Sequence, residues 1–407
     1  MKQKKLMLLG GSRYLLPAIE AAHKLGAYVI TCDFLPDNYA HQFSDQYCNI
    51  SLLDTPALLA KAKELEIDGV LGFANDIGVL PAAVIATEMG LPTPPLKSVE
   101  ILQNKDKFRD FLAANGFNCP WHYSFDSKEA ALAALRANEK GLTLFPCIVK
   151  PVDSCGSKGC TRVDDWETLP AALDEAFAKC YNGKIIVEQF LELDGYQSGS
   201  DSYSIDGKLV YCTFDSQTFD ASASNPYTPS AHVWPSFMPQ AVQDELRGEI
   251  ERLVGLLNLG TSVYNIEARL AKDGKAYIME VSPRTGGNRL SEVLVLATGQ
   301  DPIENNVRFA LGLPQLPMSK PTYDGGWAVY VVHSSKAGIY RGVSIDPTFA
   351  AAHVKACDMY IVPGARVEPF TGANQALGTI FLRFADNEQA RYAVTHADEW
   401  LTVDVEG

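Results

Sequence analysis

The sequence predicts a multidomain protein of mixed α/β and α+β class, on three observations. The chain has 407 residues, more than one hydrophobic core usually serves, so two or three domains are expected. Its first third alternates apolar strands with helices that carry one apolar face, the pattern of a parallel sheet covered on both sides. Farther along, two strand-rich runs turn back on themselves at Asp206–Gly207 and Asp273–Gly274 and read as antiparallel hairpins.

The elements follow in order. Lys5–Leu9 is an apolar strand ending in Gly10–Gly11, and Leu15–Leu25 carries a helical apolar face. Tyr28–Cys32 is a second strand closed by Asp33; Asp68–Phe73 is a third, followed by a helix over Val79–Met89. A dinucleotide site is disfavoured here, because GGSRYL is not G-x-G-x-x-G and lacks the glycines that let a pyrophosphate approach the backbone. Pro92 to Ser98, PTPPLKS, breaks helix and strand and reads as a linker. A helix through NKDKFRDFLAANG ends at Gly116. Another leads from about Ala130 into the strand PCIVKP, and Leu169–Cys180 precedes the strand KIIVEQFL. Between the two hairpins lie a polar loop, Asp220 to Ser236, and a helix near Gln243–Leu257. The tail from Trp327 to Val405 alternates short strands with Gly/Pro turns, as a small final domain would.

Bulk properties exclude several function classes. Apolar residues make up 47% and charged residues 21%, an ordinary globular balance. The net charge of −14, with no block of Lys or Arg, argues against an extended nucleic-acid surface. The basic start and short apolar run halt at Gly10–Gly11 without a cleavage site, and no apolar stretch is long enough to cross a membrane. A soluble, cytoplasmic protein is expected. Nine scattered cysteines fit buried thiols in a reducing compartment better than a disulfide framework.

Two stretches carry chemistry. In VKPVDSCGSKGCTRV a strand delivers Lys150 to a Gly/Ser-rich turn, Ser154 to Gly159, with Lys158 inside it. Glycine-freed backbone N–H groups and lysine charge suit phosphate oxygens. A zinc knuckle is weak here, since Cys155 and Cys160 have no second close pair, and there is no C-x-x-C for redox work. In YNIEARLAKDGKAYIMEVSPR, Glu267 and Glu280 flank the hairpin turn almost symmetrically, which sets two carboxylates side by side; Glu280 is expected to share its face with Ile278 and Ser282. Paired acids repel unless a cation joins them. With Arg284, Gly286 and Gly287 following at once, they suit Mg²⁺.

Four runs in register, NKDKFRDFLAANGFNCP, PCIVKPVDSCGSKGCTRV, IIVEQFLELDGYQSGSDSYSIDGKLV and YNIEARLAKDGKAYIMEVSPRTGGNRLSEVLVLATGQD, resemble the ATP-grasp superfamily. The resemblance covers about Met1 to Leu313. It is greatest to the carboxylate–amine ligase group, related to carbamoyl-phosphate synthetase, biotin carboxylase and amino-acid ligases. It implies a Rossmann-like N-terminal domain over 1–98 and an ATP-grasp domain over 99–315, whose lid subdomain spans about 120–190. A small C-terminal domain over 316–407 would complete the chain.

The resemblance also assigns residues. Lys107 and Lys150 match ATP-contacting bases, and Ser154, Gly156 and Ser157 match the loop that closes on the phosphates. Glu188, Gln189, Phe190 and Leu191 match the adenine edge. Glu267 and Glu280 match the metal-bridging pair, for Mg²⁺ or Mn²⁺. Arg284 and Lys150 take catalytic roles, and Gly286, Gly287 and Arg289 lie with Arg284 where substrate carboxylate is held. Two positions depart from the pattern: Ser282 stands in place of a third, Asn, metal ligand, and Gln197 in place of a glutamate that meets ribose.

The implied activity is ATP-dependent phosphorylation of a carboxylate to an acyl-phosphate, followed by amine attack, giving ADP and phosphate. Small-molecule carboxylate and amine partners and a homodimer are compatible with it. A bicarbonate-using subunit of the carbamoyl-phosphate synthetase or biotin carboxylase type is an alternative, and a non-catalytic nucleotide-binding module is another.

Overall fold

A computed structural model describes residues 2–153, 158–220, 225 and 228–407. At the N-terminus, strands Gln46–Asn49, Tyr28–Asp33, Lys5–Leu9 and Gly69–Leu71 form a parallel sheet in that spatial order. Alternation along Lys5–Leu9 sends Leu6 and Leu8 into one apolar cluster and Met7 and Leu9 into another, so both faces are covered. The helix Pro302–Ala310 returns late in the chain to pack Ile303 and Val307 on the Leu6 side. Asp33 closes its strand as a turn cap, accepting from the Leu35 amide and from Asn38 Nδ2, both at 3.0 Å. After Gly69–Leu71, the Asn75 side chain caps the helix Asp76–Met89, bringing Asp76 to the carboxyl end of the sheet, where open α/β sheets hold ligands.

The stretch expected as a linker is partly helical. Leu96–Gln103 begins inside it, because Pro95 precedes the first turn, where a missing N–H costs nothing. Its Ser98, Val99 and Leu102 are buried, and Ser98 Oγ donates to the Leu257 carbonyl at 2.6 Å.

Two sheets form the middle of the molecule. Strands His122–Phe125, Ile185–Gln189, Cys147–Pro151 and Thr161–Val163 make one, with helices Lys128–Ala137 and Leu169–Lys179 sharing its apolar core. Strands Lys208–Cys212, Leu193–Ile205, Ser262–Ala271 and Ala276–Ser282 make the other, an antiparallel sheet. One face of it packs Tyr264, Ile266 and Ile278 against Phe108 and Leu112 of the helix Lys105–Ala114 and Leu246 and Ile250 of the helix Gln240–Leu256.

The tail is not closed on itself. Its five-stranded sheet runs Ser216–Phe219, Pro229–Trp234, Gly326–Val332, Gly378–Phe384, Val354–Met359, so two strands come from the middle of the chain. A boundary at 315/316 therefore does not separate the sheets. Part of the expected polar loop 220–236 is thus the strand Pro229–Trp234, paired on both sides. Burial of Ala231, Val233 and Trp234 against the tail stabilises it, a tertiary effect invisible in a short run that mixes histidine, serine and proline. No helix among the described residues is long and apolar enough to cross a membrane.

Candidate active site

The hairpin of Ser262–Ala271 and Ala276–Ser282 places Glu267 directly opposite Glu280. The register then slips between Glu267 and Ala268, which pairs with Ile278, leaving Met279 as a bulge. This corrects the expected alternation: Ile278 and Val281 both enter the core, while Glu280 and Met279 both line the cleft. Glu267 is desolvated by the cleft walls. Burial and the neighbouring Glu280 push its carboxyl up to about 7. Two carboxylates held together at such cost are a donor pair in search of a cation, and oxygen-only ligation fits Mg²⁺. The described residues offer no cluster of three His, Cys, Asp or Glu ligands, so the remaining ligands of such an ion would be phosphate oxygens or water.

Lys150 reaches the same region from the strand Cys147–Pro151, its Nζ 2.5 Å from Glu188 Oε1. Glu188, expected at the adenine edge, turns its side chain inward. Arg109 Nε donates to its Oε2 at 2.9 Å, and Arg109 Nη1 donates to the Met279 carbonyl at 2.8 Å. Burial opposes the Glu188 charge, but Arg109 and Lys150 prevail and hold it at about 2. What Glu188 presents at the strand end is therefore backbone. Beyond it, the Gln189 and Phe190 amides are bonded to Trp121 and Pro146 carbonyls, and the Leu191 carbonyl accepts from Arg269 Nη1 at 2.9 Å. Arg269 also donates to Gln197. Leu191, Ala271, Tyr277 and Met279 form an apolar shelf beside this edge, suited to a flat base.

The lysine that lines the cleft on this helix is not the expected one. Lys107 faces solvent from the helix Lys105–Ala114, whereas Lys105 lines the cleft with its Nζ 3.9 Å from Glu280. The phase of the helix decides this, because burial of Phe108, Arg109 and Leu112 turns Lys107 away.

Arg284 is engaged. Its Nε and Nη2 donate to the two oxygens of Asp76 at 2.8 and 2.7 Å, a two-pronged pair reaching across to the N-terminal sheet. Burial works against the Asp76 charge, yet the guanidinium holds it below the usual carboxylate range. Ser282 donates to Asp76 at 2.8 Å and accepts from Gln103 at 2.9 Å, so its hydroxyl serves this pair. Asp201, fully buried, accepts from the Gly286 amide and from Asn265 Nδ2. A side chain at Gly286 would collide with Leu290, Asn265 and Asp201, whereas Gly287 is open. Arg289 bonds to Glu292 and reaches Asp358 of the tail at 3.4 Å.

Ser154, Gly156, Ser157 and Cys155 lie outside the described residues. Among the described ones, Cys160 is kept a thiol by burial. Sequence reasoning missed Asp76, Lys105, Arg109 and Asp215, and placed His232 in a loop read as a candidate substrate pocket, without its partner. Of these, only Asp76 left a local signal, an Asn-Asp helix start directly after a strand.

A family model for the ATP-grasp domain matches residues 143–292. A formate-dependent phosphoribosylglycinamide formyltransferase of Burkholderia lata is 30% identical over 330 residues, 77% of this chain and 76% of that one. The chain belongs to the ATP-grasp family. It is an ATP-dependent, ADP-forming enzyme of the carboxylate–amine ligase group. Among solved structures, the L-amino acid ligase of Bacillus licheniformis aligns over the whole of both chains with TM-score 0.83 at 21% identity. The biotin carboxylase domain of the Hydrogenobacter thermophilus 2-oxoglutarate carboxylase, solved with MgADP and bicarbonate, aligns over 99% of this chain and 91% of that one, with TM-score 0.74 at 16% identity. At these identities the two structures establish the ATP-grasp fold.

Proposed function

We propose that this ATP-grasp enzyme activates a small carboxylate as an acyl-phosphate and joins it to an amine. The observation that carries the reading is the facing pair Glu267 and Glu280, set on a bulged hairpin within the fields of Lys150, Lys105 and Arg284. A carboxylate is a poor acyl donor, because oxide cannot leave; a phosphorylated carboxylate can expel phosphate. Glu267 and Glu280 would hold Mg²⁺, which offsets charge gathering on the transferred phosphoryl group. Lys150, aimed by buried Glu188, supplies a cation to the phosphates, and Lys105 a second. The shelf of Leu191, Tyr277 and Met279 seats the adenine. Arg284 steadies the acyl oxygens after giving up one or both contacts with Asp76, so substrate entry and opening of that pair are one event.

ADP release measured against panels of carboxylates and amines tests the reading. Turnover that requires one member of each panel supports it. ATP hydrolysis indifferent to both would overturn it.

A further inference from the structure

The reading above leaves the amine without a binding site. On the edge strand Ser216–Phe219, Gln217 stands opposite His232 of Pro229–Trp234. The Gln217 amide lies over Gly199, where a Cβ would sit 2.1 Å from Gln217 Nε2 and 3.9 Å from Glu267 Cγ. Gly199 is in turn the register partner of Glu267. This pair thus borders the carboxylates from the side of the five-stranded sheet.

His232 has the chemistry of a base. Its Nδ1 is 2.5 Å from Asp215 Oδ2, and Asp215 is fixed by the Gly199 amide and Ser198 Oγ on its other oxygen, at 2.6 and 2.9 Å. A carboxylate on Nδ1 fixes the proton there and leaves the lone pair on Nε2. The ring stacks on Trp234, which is pinned by its Nε1 donating to Ser200. His232 Nε2 and Gln217 Oε1 are both buried, and among the described residues neither has a partner. Two buried acceptors without donors call for a ligand rich in N–H groups.

Resting on the ligase reading, we propose that His232 and Gln217 form the site of the amine substrate, a primary ammonium, with His232 its general base. One ammonium proton passes to His232 Nε2, and Asp215 stabilises the imidazolium. The freed nitrogen lone pair forms the bond to the acyl carbon. The bond from that carbon to the bridging oxygen breaks, its electron pair leaving with phosphate. The second nitrogen proton goes to the departing phosphate, and His232 returns its own to water. Gln217 accepts another N–H and orients the nitrogen.

Hydroxylamine tests this, because it is largely neutral at pH 7 and attacks acyl-phosphates without a base. His232→Asn keeps a donor for Asp215 but removes Nε2; Gln217→Leu removes the other acceptor. With the carboxylate that best supports ADP release, His232→Asn should form hydroxamate at a rate within a few-fold of wild type. Its coupling to the amine should fall roughly a hundredfold or more, as loss of a general base does. Gln217→Leu should mainly raise KM for the amine. Unchanged coupling in His232→Asn, or equal loss of hydroxamate and amide, would overturn the assignment. If wild type turns ATP over but yields neither product with any carboxylate, the ligase reading fails first, and this one with it.

Discussion

At the scale of single residues, the site is a balance of charges held out of water. Glu280→Gln should abolish ATP turnover while leaving the melting temperature within a few degrees of wild type, since it removes a metal-facing charge and no core contact. Near-normal turnover at saturating Mg²⁺ would refute the metal assignment. Arg284 is different, because its partner is a largely buried carboxylate. Arg284→Ala should lower kcat about a hundredfold or more, as loss of an oxyanion donor does. It should also cost stability, on the order of 3 kcal/mol, by stranding Asp76. Adding Asp76→Asn should restore much of the stability and none of the rate, which melting curves and rates on the four proteins of the cycle will separate. Glu267 predicts a pH dependence. Its folded carboxyl is raised to about 7 from an ordinary value of 4.5. Folding therefore favours its protonated form. That contribution is fully present below about pH 4.5 and is lost as pH rises to about 7 in metal-free protein. Metal must displace the same proton. MgADP binding followed calorimetrically in two buffers should release close to one proton at pH 6 and almost none at pH 8.5. The Glu267→Gln protein should show no such difference.

At the scale of elements, the bulge at Met279 does two things at once. It points Glu280 at the cleft and adds Met279 to the apolar shelf proposed to seat adenine, and its carbonyl is tied to Arg109. Met279→Ala should raise KM for ATP about tenfold, a loss of ~1.4 kcal/mol of apolar contact, with kcat at saturation nearly unchanged. Titrating ATP at fixed Mg²⁺ checks this, and a fall in kcat alone would count against the shelf. Elements also show what was legible in the sequence. The facing glutamates were, because the Asp273–Gly274 turn fixes the pairing locally. The bulge was not, since one extra residue leaves composition and spacing untouched. That Lys105 and not Lys107 faces the cleft was not legible, because helix phase depends on which residues the neighbouring sheet buries. Asp76 and Arg109 act on partners over a hundred residues away for Arg284 and 79 away for Glu188, distances across which a single sequence carries no pairing signal. The strand Pro229–Trp234 likewise owes its form to the tail it pairs with.

At the scale of the whole molecule, the cleft is built by parts from three regions: Asp76 from the N-terminal sheet, Lys150 and Glu188 from the central one, and the glutamates from the hairpin. A ligand that bridges these parts should stabilise them together. MgADP at a hundred times its Kd should add about 2.7 kcal/mol, visible as a rise of a few degrees in melting temperature, and the gain should be lost in Glu267→Gln. An equal rise in that variant would place the nucleotide elsewhere. The sheet that joins Ser216–Phe219 and Pro229–Trp234 to Gly326–Val332 has a further consequence for the life of the chain. On the ribosome, the nucleotide cleft has all its strands once the hairpin and the helix after it have emerged. The strand of His232, by contrast, keeps one edge unpaired until Gly326–Val332 is made, about thirty residues after that helix. On the proposed assignments, the newborn enzyme gains its nucleotide cleft before its amine site. A cell short of chaperones should lose the protein at that waiting edge first.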